Sequence, residues 1–306
     1  MPAKERIIPW LIRRLAMLAI LFSVLFLALG LFFKDRLIFH PVSESYGTPP
    51  NYSLPFEERW LTTAGGDSVR AWRILRRTGS ESKTTILLFQ GNSGNMTMML
   101  DRMSAFHFLG FEVFSVDYPG YGPSPGRPSE EALYQSAAAL RQWAAETGAD
   151  AGQIIAYGFS LGGGVASYLA AEKKAAALIL DSTFTKLRDV PGDQLPFLRP
   201  YLYLILGRAF DTEGRLSRDI TCPLLVIHAP GDDVVPYKLG QRNFQQYRHQ
   251  KKMASGTGDH MGFLLNQKLY LSDIKNLADS LTEESEGEAT PNPSSLAPTE
   301  SMRRQL

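Results

Sequence analysis

The segment Gly158-Phe159-Ser160-Leu161-Gly162 has the residue types and spacing for covalent chemistry. A serine with glycine two positions before and two positions after it fits a strand-to-helix turn too tight for side chains at those places. Such a turn strains the serine backbone and presents its hydroxyl, while the N–H of Leu161 points at an oxyanion forming beside it. The bare pattern is weak, so its surroundings must carry the weight. They do: Ile154–Phe159 reads as a buried strand, and Gly163-Gly164 opens a helical stretch. The bland alternative is a glycine-rich turn that only packs a helix on a strand.

A lone serine is a poor nucleophile and needs a base oriented by an acid; after such a turn the chain order is Ser, then Asp or Glu, then His. Of the five histidines, only His249 and His260 follow the last strands. His249 lies in a polar helical run and reads as surface, whereas His260 sits in the loop Gly256-Thr257-Gly258-Asp259-His260, free to swing over the strand ends. His40, His107 and His228 read as structural, His228 close enough to the acid loop to shape it. For the acid, Gly231-Asp232-Asp233 follows the apolar run Leu224–Ala229. Asp232 is the expected orienter and Asp233 the cap of the next helix. Asp181, at the end of the preceding strand, is the rival acid.

A second oxyanion donor is expected from the loop Gln90-Gly91-Asn92-Ser93-Gly94-Asn95, where the N–H of Asn92 fits and Gly91 allows close backbone approach. No Gly-Lys-Ser or Gly-Lys-Thr follows, so the loop is no phosphate cradle. The turn-rich loop from Asp117 to Gly126 reads as structural, with Tyr121 expected along an acyl pocket. This set of groups calls for no metal and no organic cofactor.

The elements that must position these residues are those of an α/β protein. Apolar runs at Thr85–Gln90, Phe111–Tyr118, Ile154–Phe159, Ala177–Asp181 and Leu224–Ala229 read as parallel strands buried on both faces. Glu57–Thr63 and Ser68–Arg76, around Ala64-Gly65-Gly66-Asp67, read as a hairpin. Helices are expected at Ser129–Glu146, capped by Ser129, at Tyr237–Gln250 and at Phe263–Ser280. The interval 183–220 is too long for a simple crossover. Its segment Pro196–Phe210, PFLRPYLYLILGRAF, is expected to form a small lid over an apolar substrate or against a membrane surface, the alternative being an ordinary crossover helix with long loops.

Leu15–Phe33 is free of charge and has Ser23 as its only polar side chain. At about 1.5 Å per residue it reaches roughly 28 Å, close to the ~30 Å core of a bilayer. A secretory signal is usually shorter and ends in a small-x-small site that Ala28-Leu29-Gly30 matches poorly, so an uncleaved anchor is expected. Lys4, Arg6, Arg13 and Arg14 precede it, against Lys34 and Arg36 after it, which puts the amino terminus in the cytoplasm and the rest across the membrane, periplasmic or otherwise extracytoplasmic. The expected organisation is a basic segment over 1–14, the anchor over 15–33, a linker over 34–55, one catalytic domain over 56–280 and a disordered, Glu/Ser/Thr/Pro-rich tail over 281–306. With 32 Lys+Arg against 31 Asp+Glu in 306 residues, no net field draws in nucleic acid. One cysteine, Cys222, excludes an internal disulfide and a thiolate zinc cluster.

Over about residues 56–275 the chain resembles the α/β-hydrolase superfamily, in particular its membrane-anchored branch with serine aminopeptidase-like labels and lipid or acyl-thioester hydrolase members. The similarity rests on Gln90–Asn95, Asp117–Gly122, Gly158–Gly163, His228–Pro236 and Gly258-Asp259-His260. The third pattern places the nucleophile on Ser160 and the fourth the acid on Asp232. Two positions depart from it: Gln90 stands where the family has a histidine, still able to donate a hydrogen bond, and Ala229 replaces a glycine. The resemblance implies a mostly parallel sheet flanked by helices with a small lid insertion, and hydrolysis of carboxylic esters or thioesters of lipid-like or other small molecules. Two alternatives stay open: a peptidase or amidase of the same fold, and a catalytically silent fold used for binding.

Overall fold

The computed structural model describes residues 4–289. Helix α1 (Lys4–Ile38) leads into a two-residue strand β1 (His40–Pro41) and then the hairpin β2 (Phe56–Thr62) and β3 (Ser68–Ile74). The central chain alternates: β4 (Thr85–Phe89), the short β5 (Ser93–Gly94), α2 (Leu100–Phe108), β6 (Glu112–Val116), α3 (Glu130–Glu146), β7 (Ile154–Phe159), α4 (Leu161–Ala171) and β8 (Ala177–Asp181). Three short helices follow, α5 (Asp189–Gln194), α6 (Arg199–Leu206) and α7 (Thr212–Arg218); β9 (Leu224–Ile227), α8 (Tyr237–Gln246), β10 (Lys251–Ala254) and α9 (Gln267–Ala289) complete the fold.

The main sheet has the order β10-β9-β8-β7-β4-β6-β3-β2. It is parallel from β10 to β6, with β3 antiparallel to β6 and to β2. The central strands are buried along their whole length, which is why they carry unbroken apolar runs instead of alternation. Each face has its own core. One holds Leu133, Leu140, Trp143, Val165 and Leu169 from α3 and α4. The other holds Met103, Phe106, Phe263, Tyr270 and Ile274 from α2, α9 and the loop before α9.

From β4 the chain steps outward to β6 and then returns to the other side of β4 as β7. The order reverses there, and in an open sheet the loops at the carboxyl ends of the strands part at such a point and leave a crevice. The register pairs Phe89 with Gly158, Phe159 with Asp181 and Asp181 with Ile227, so the residues after four strands reach one rim together.

Ser129 caps α3 as expected, its hydroxyl accepting from Ala132 N–H at 3.1 Å. Asp233 does not cap α8, whose N-cap is Pro236. The interval 183–220 folds into α5–α7. The expected disordered tail begins inside α9, which runs to Ala289; its remainder, 290–306, lies outside the described residues. Helix α1 contains Trp10–Ile38, long and apolar enough to cross a membrane by length and composition. Residues 34–55, expected as a linker, include the end of α1 and pair with the body of the fold: Ser93 and Gly94 of β5 run parallel to His40 and Pro41 of β1.

Candidate active site

Ser160 lies between β7 and α4 with φ 53° and ψ −117°, a strained conformation for a residue with a Cβ. Its surroundings over-determine that turn. A Cβ on Gly158 would overlap the carbonyl of Gly162, and one on Gly162 would overlap the carbonyl oxygen of Phe89. Ser160 N–H donates to Asp181 O at 2.8 Å, and the Thr183 hydroxyl donates to Ser160 O at 3.2 Å. The residue is 7% exposed, at the floor of a cavity. Leu161 begins α4, so its N–H is among those a helix leaves without an internal partner.

Asp232 and His260 meet at the same rim. His260 Nδ1–H donates to Asp232 Oδ2 at 2.8 Å, with Oδ1 at 3.0 Å. This contact fixes the proton on Nδ1 and leaves Nε2 as the basic nitrogen. The other ligands of Asp232 are the N–H groups of Val234 and Val235, at 3.0 and 2.7 Å on Oδ1. Burial alone would raise the pKa of Asp232; hydrogen bonds from His228 and His260, the His260 charge and the Val235 N–H outweigh it and hold the carboxyl well below the usual range. The His260 ring lies against Phe159, the residue before Ser160, with centroids 4.9 Å apart. No hydrogen bond joins His260 to the Ser160 hydroxyl among the described residues. Such contacts are often long without substrate.

His228 shapes the acid loop, as its position in the sequence suggested. It is fully buried; its Nε2–H donates to Val235 O at 2.9 Å and lies 3.2 Å from Asp232 Oδ2, bracing the acid loop from beneath. Its place four residues before Asp232 was the available signal. Asp181, the rival acid, is taken: its Oδ2 accepts from Arg102 at 2.8 Å and from the Tyr157 hydroxyl at 2.5 Å. His249 is exposed, and His107 Nδ1 contacts Leu75 O at 2.9 Å, neither near the site.

Asn92 lines the same cavity as Ser160, and its loop is strapped down from an unexpected direction. His40 N–H donates to Asn92 O at 3.0 Å, and Asn92 Nδ2 donates to Ile38 O at 3.0 Å. Asn95 Nδ2 donates to Val42 O at 2.9 Å. Tyr121 was expected along an acyl pocket. It is fully buried, and its hydroxyl donates to Asn92 O at 2.7 Å, so it holds the loop and does not line the cavity.

The cavity has a volume of about 650 Å³. Of its lining side chains only Lys34, Asn92 and Ser160 are polar; the rest are Leu161 at the start of α4 and apolar residues of α1, α5, α6 and the segments around Phe184 and Val234.

The model of the alpha/beta hydrolase fold matches residues 84–209. The α/β-hydrolase domain-containing protein WAV2 of Arabidopsis thaliana is 36% identical over 229 residues, covering 68% of this chain and 74% of that protein. The chain belongs to the α/β-hydrolase family. A second relative in the family, the lysophosphatidylserine lipase ABHD12 of Danio rerio, is 31% identical over 63% of this chain and 56% of its own length. Among solved structures, the Pyrococcus furiosus esterase Pf2001 superposes with a TM-score of 0.67 at 18% identity, covering 79% of this chain and 97% of that one. Gln90, which stands where the resembled pattern has a histidine, is buried, and its side chain lies beside the Asp117 carboxylate and helps keep that group ionised. At Ala229 the missing glycine costs nothing, because the residue does not have a positive φ.

Proposed function

We propose that this protein is a membrane-anchored serine hydrolase that cleaves carboxylic esters of single-chain, lipid-like molecules through an acyl-enzyme on Ser160. The observation that carries the reading is the strained Ser160 facing an apolar cavity at the rim where the Asp232–His260 couple ends. In the first half-reaction Ser160 Oγ attacks the ester carbonyl carbon while His260 Nε2 takes the hydroxyl proton. The oxyanion rests on the N–H groups of Leu161 and Asn92, each such donor being worth roughly 10²–10³ in rate. Collapse breaks the C–O bond, and His260 returns the proton to the departing alcohol. Water then attacks the acyl-enzyme, gives its proton to His260, and releases the carboxylic acid as the proton returns to Ser160. Asp232 stays ionised throughout, holding the tautomer and stabilising the imidazolium.

An ester fits better than a peptide, because a cavity with three polar lining side chains offers few partners for the N–H and C=O groups of an extended peptide. The lipase activity named for the Danio rerio relative is consistent with a lysophospholipid-like substrate. Helix α1 would cross the bilayer with its basic amino-terminal end in the cytoplasm and the catalytic domain on the far side. The test is fluorophosphonate labelling of the full chain together with turnover of an extracted lipid mixture. Ser160→Ala should lose labelling and about a million-fold in ester hydrolysis. Persistent labelling of that variant would overturn the assignment.

A further inference from the structure

The cavity in front of Ser160 has an unusual wall. Phe26, Gly30, Phe33 and Leu37 of α1 line it, opposite Leu202 and Ile205 of α6. These α1 positions recur at spacings of four and three, the spacing of one helical face turned toward a partner. The two helices touch directly. Ser23, the polar residue of the apolar run, shares a 2.7 Å hydrogen bond with the Tyr201 hydroxyl, and the Phe26 ring meets Tyr201 edge-on at 5.1 Å. A Cβ on Gly30 would overlap Ile205 Cδ1, so the absence of a side chain there is what lets α6 close on α1.

The depth of this seam matters. If Phe33 marks the domain-side edge of the charge-free run, Ser23 lies ten residues further in, about 15 Å at 1.5 Å per residue, which is one leaflet of a ~30 Å hydrocarbon core. On its outer side α6 presents Tyr203 and Leu204, 60% and 61% exposed, and Phe197 just before it is 71% exposed. These are side chains suited to lipid. The wall from Phe26 to Ile38 rises about 18 Å, near the length an acyl chain already spans in one leaflet. At about 30 Å³ per heavy atom, taking liquid water as the measure, the 650 Å³ cavity holds on the order of 20 heavy atoms. That is about the size of one long acyl chain.

Building on the hydrolase reading above, we propose that the membrane helix is itself half of the acyl-binding site: the chain of a single-chain bilayer amphiphile slides from the leaflet between α1 and α6 and lies along Phe26, Gly30 and Phe33 with its ester at Ser160. The anchor thereby selects substrate, and a chain reaches the serine without passing through water.

Two measurements on the full chain in lipid nanodiscs test this. The first uses a long-chain alkyl fluorophosphonate with a diazirine at the chain end, allowed to react with Ser160 and then irradiated. The crosslinks should map to α1 between Phe26 and Leu37; crosslinks confined to residues after 56 would overturn the proposal. The second staples the seam. A Cβ at Gly30 stands 3.0 Å from Ile205 Cγ1, close enough for Gly30→Cys with Ile205→Cys to form a disulfide. Oxidation should lower the ratio of long-chain to acetyl ester kcat/KM at least tenfold, and reduction of the same sample should restore it. A ratio indifferent to the redox state would overturn entry through the seam. Labelling of Ser160 by a short fluorophosphonate reports separately on the hydrolase reading. If that labelling is retained while both measurements fail, the inference falls alone.

Discussion

The two sides of the cavity are built on different principles. On the sheet side, Ser160, Asp232 and His260 are held by backbone that cannot move: elbow glycines pressed on main-chain atoms, and a carboxylate accepting from two N–H groups and approached by two imidazoles. On the helix side, α1 and α6 meet through apolar side chains and the hydrogen bond between Ser23 and Tyr201. The first arrangement favours one geometry and suits bond making. The second rests on side-chain packing, the arrangement that the proposed passage of a flexible chain would need. Rigidity lies where charge develops, and compliance where the substrate varies.

Substitutions should divide the same way. After loss of Ser160 itself, the largest effect falls on the acid: Asp232→Asn keeps the shape of the loop but loses the tautomer control, and kcat should drop about 10⁴-fold. Stability should change with pH as well. The folded pKa of Asp232 is depressed below its ordinary 3.8, so its stabilisation is complete above that value and is lost as pH falls through and below it. Thermal melts from pH 6 down to pH 2 should fall more steeply for the wild type than for Asp232→Asn. Next comes the elbow. Gly162→Ala drives a Cβ into the carbonyl oxygens of Phe89 and Gln90, and chemical denaturation should show a loss of about 3 kcal/mol or more together with lost activity.

The oxyanion loop stands between the two regimes. Asn92→Ala removes the side-chain bond to Ile38 O, a loss of about 1 kcal/mol of stability, which should lower the melting temperature by about 2–4 °C and, by loosening the loop, reduce kcat/KM several-fold, far less than Asp232→Asn does. The smallest effect belongs to the compliant side: Ser23→Ala deletes the hydrogen bond to Tyr201, worth about 0.6 kcal/mol if the seam lies in lipid as proposed. Chain-length preference should shift while acetyl ester turnover holds. A Ser23→Ala variant as impaired as Asp232→Asn would erase the distinction between the two sides.

What could be read from the sequence follows the same boundary. Strands β2–β4 and β6–β9, Ser160, Asp232 and His260 were legible because each is announced locally, by an apolar or alternating run, a glycine pair or a loop at the end of a strand; the edge strand β10, Lys251–Ala254, carries two lysines and was not. The strap over Asn92 was not. β1 and β5 are two residues each and pair across some fifty positions, so no periodicity marks them. Tyr121 was expected along the acyl pocket; its hydroxyl is committed to Asn92 instead, a long-range bond that no local pattern marks. The extra helical interval at 183–220 was legible from its length and apolarity. Its partner was not, since nothing in a charge-free helix says which face another helix will meet.

One consequence follows from how soon β1 begins. α1 ends at Ile38, and the N–H of His40 is already bonded to Asn92, so a single residue separates the last helical turn from the loop beside the serine. The enzyme therefore has no stalk. With the helix in a bilayer, the height of Ser160 above the lipid would be set by helical geometry, as a blade is set in a plane, and the proposed nucleophile could not roam the solution on a leash.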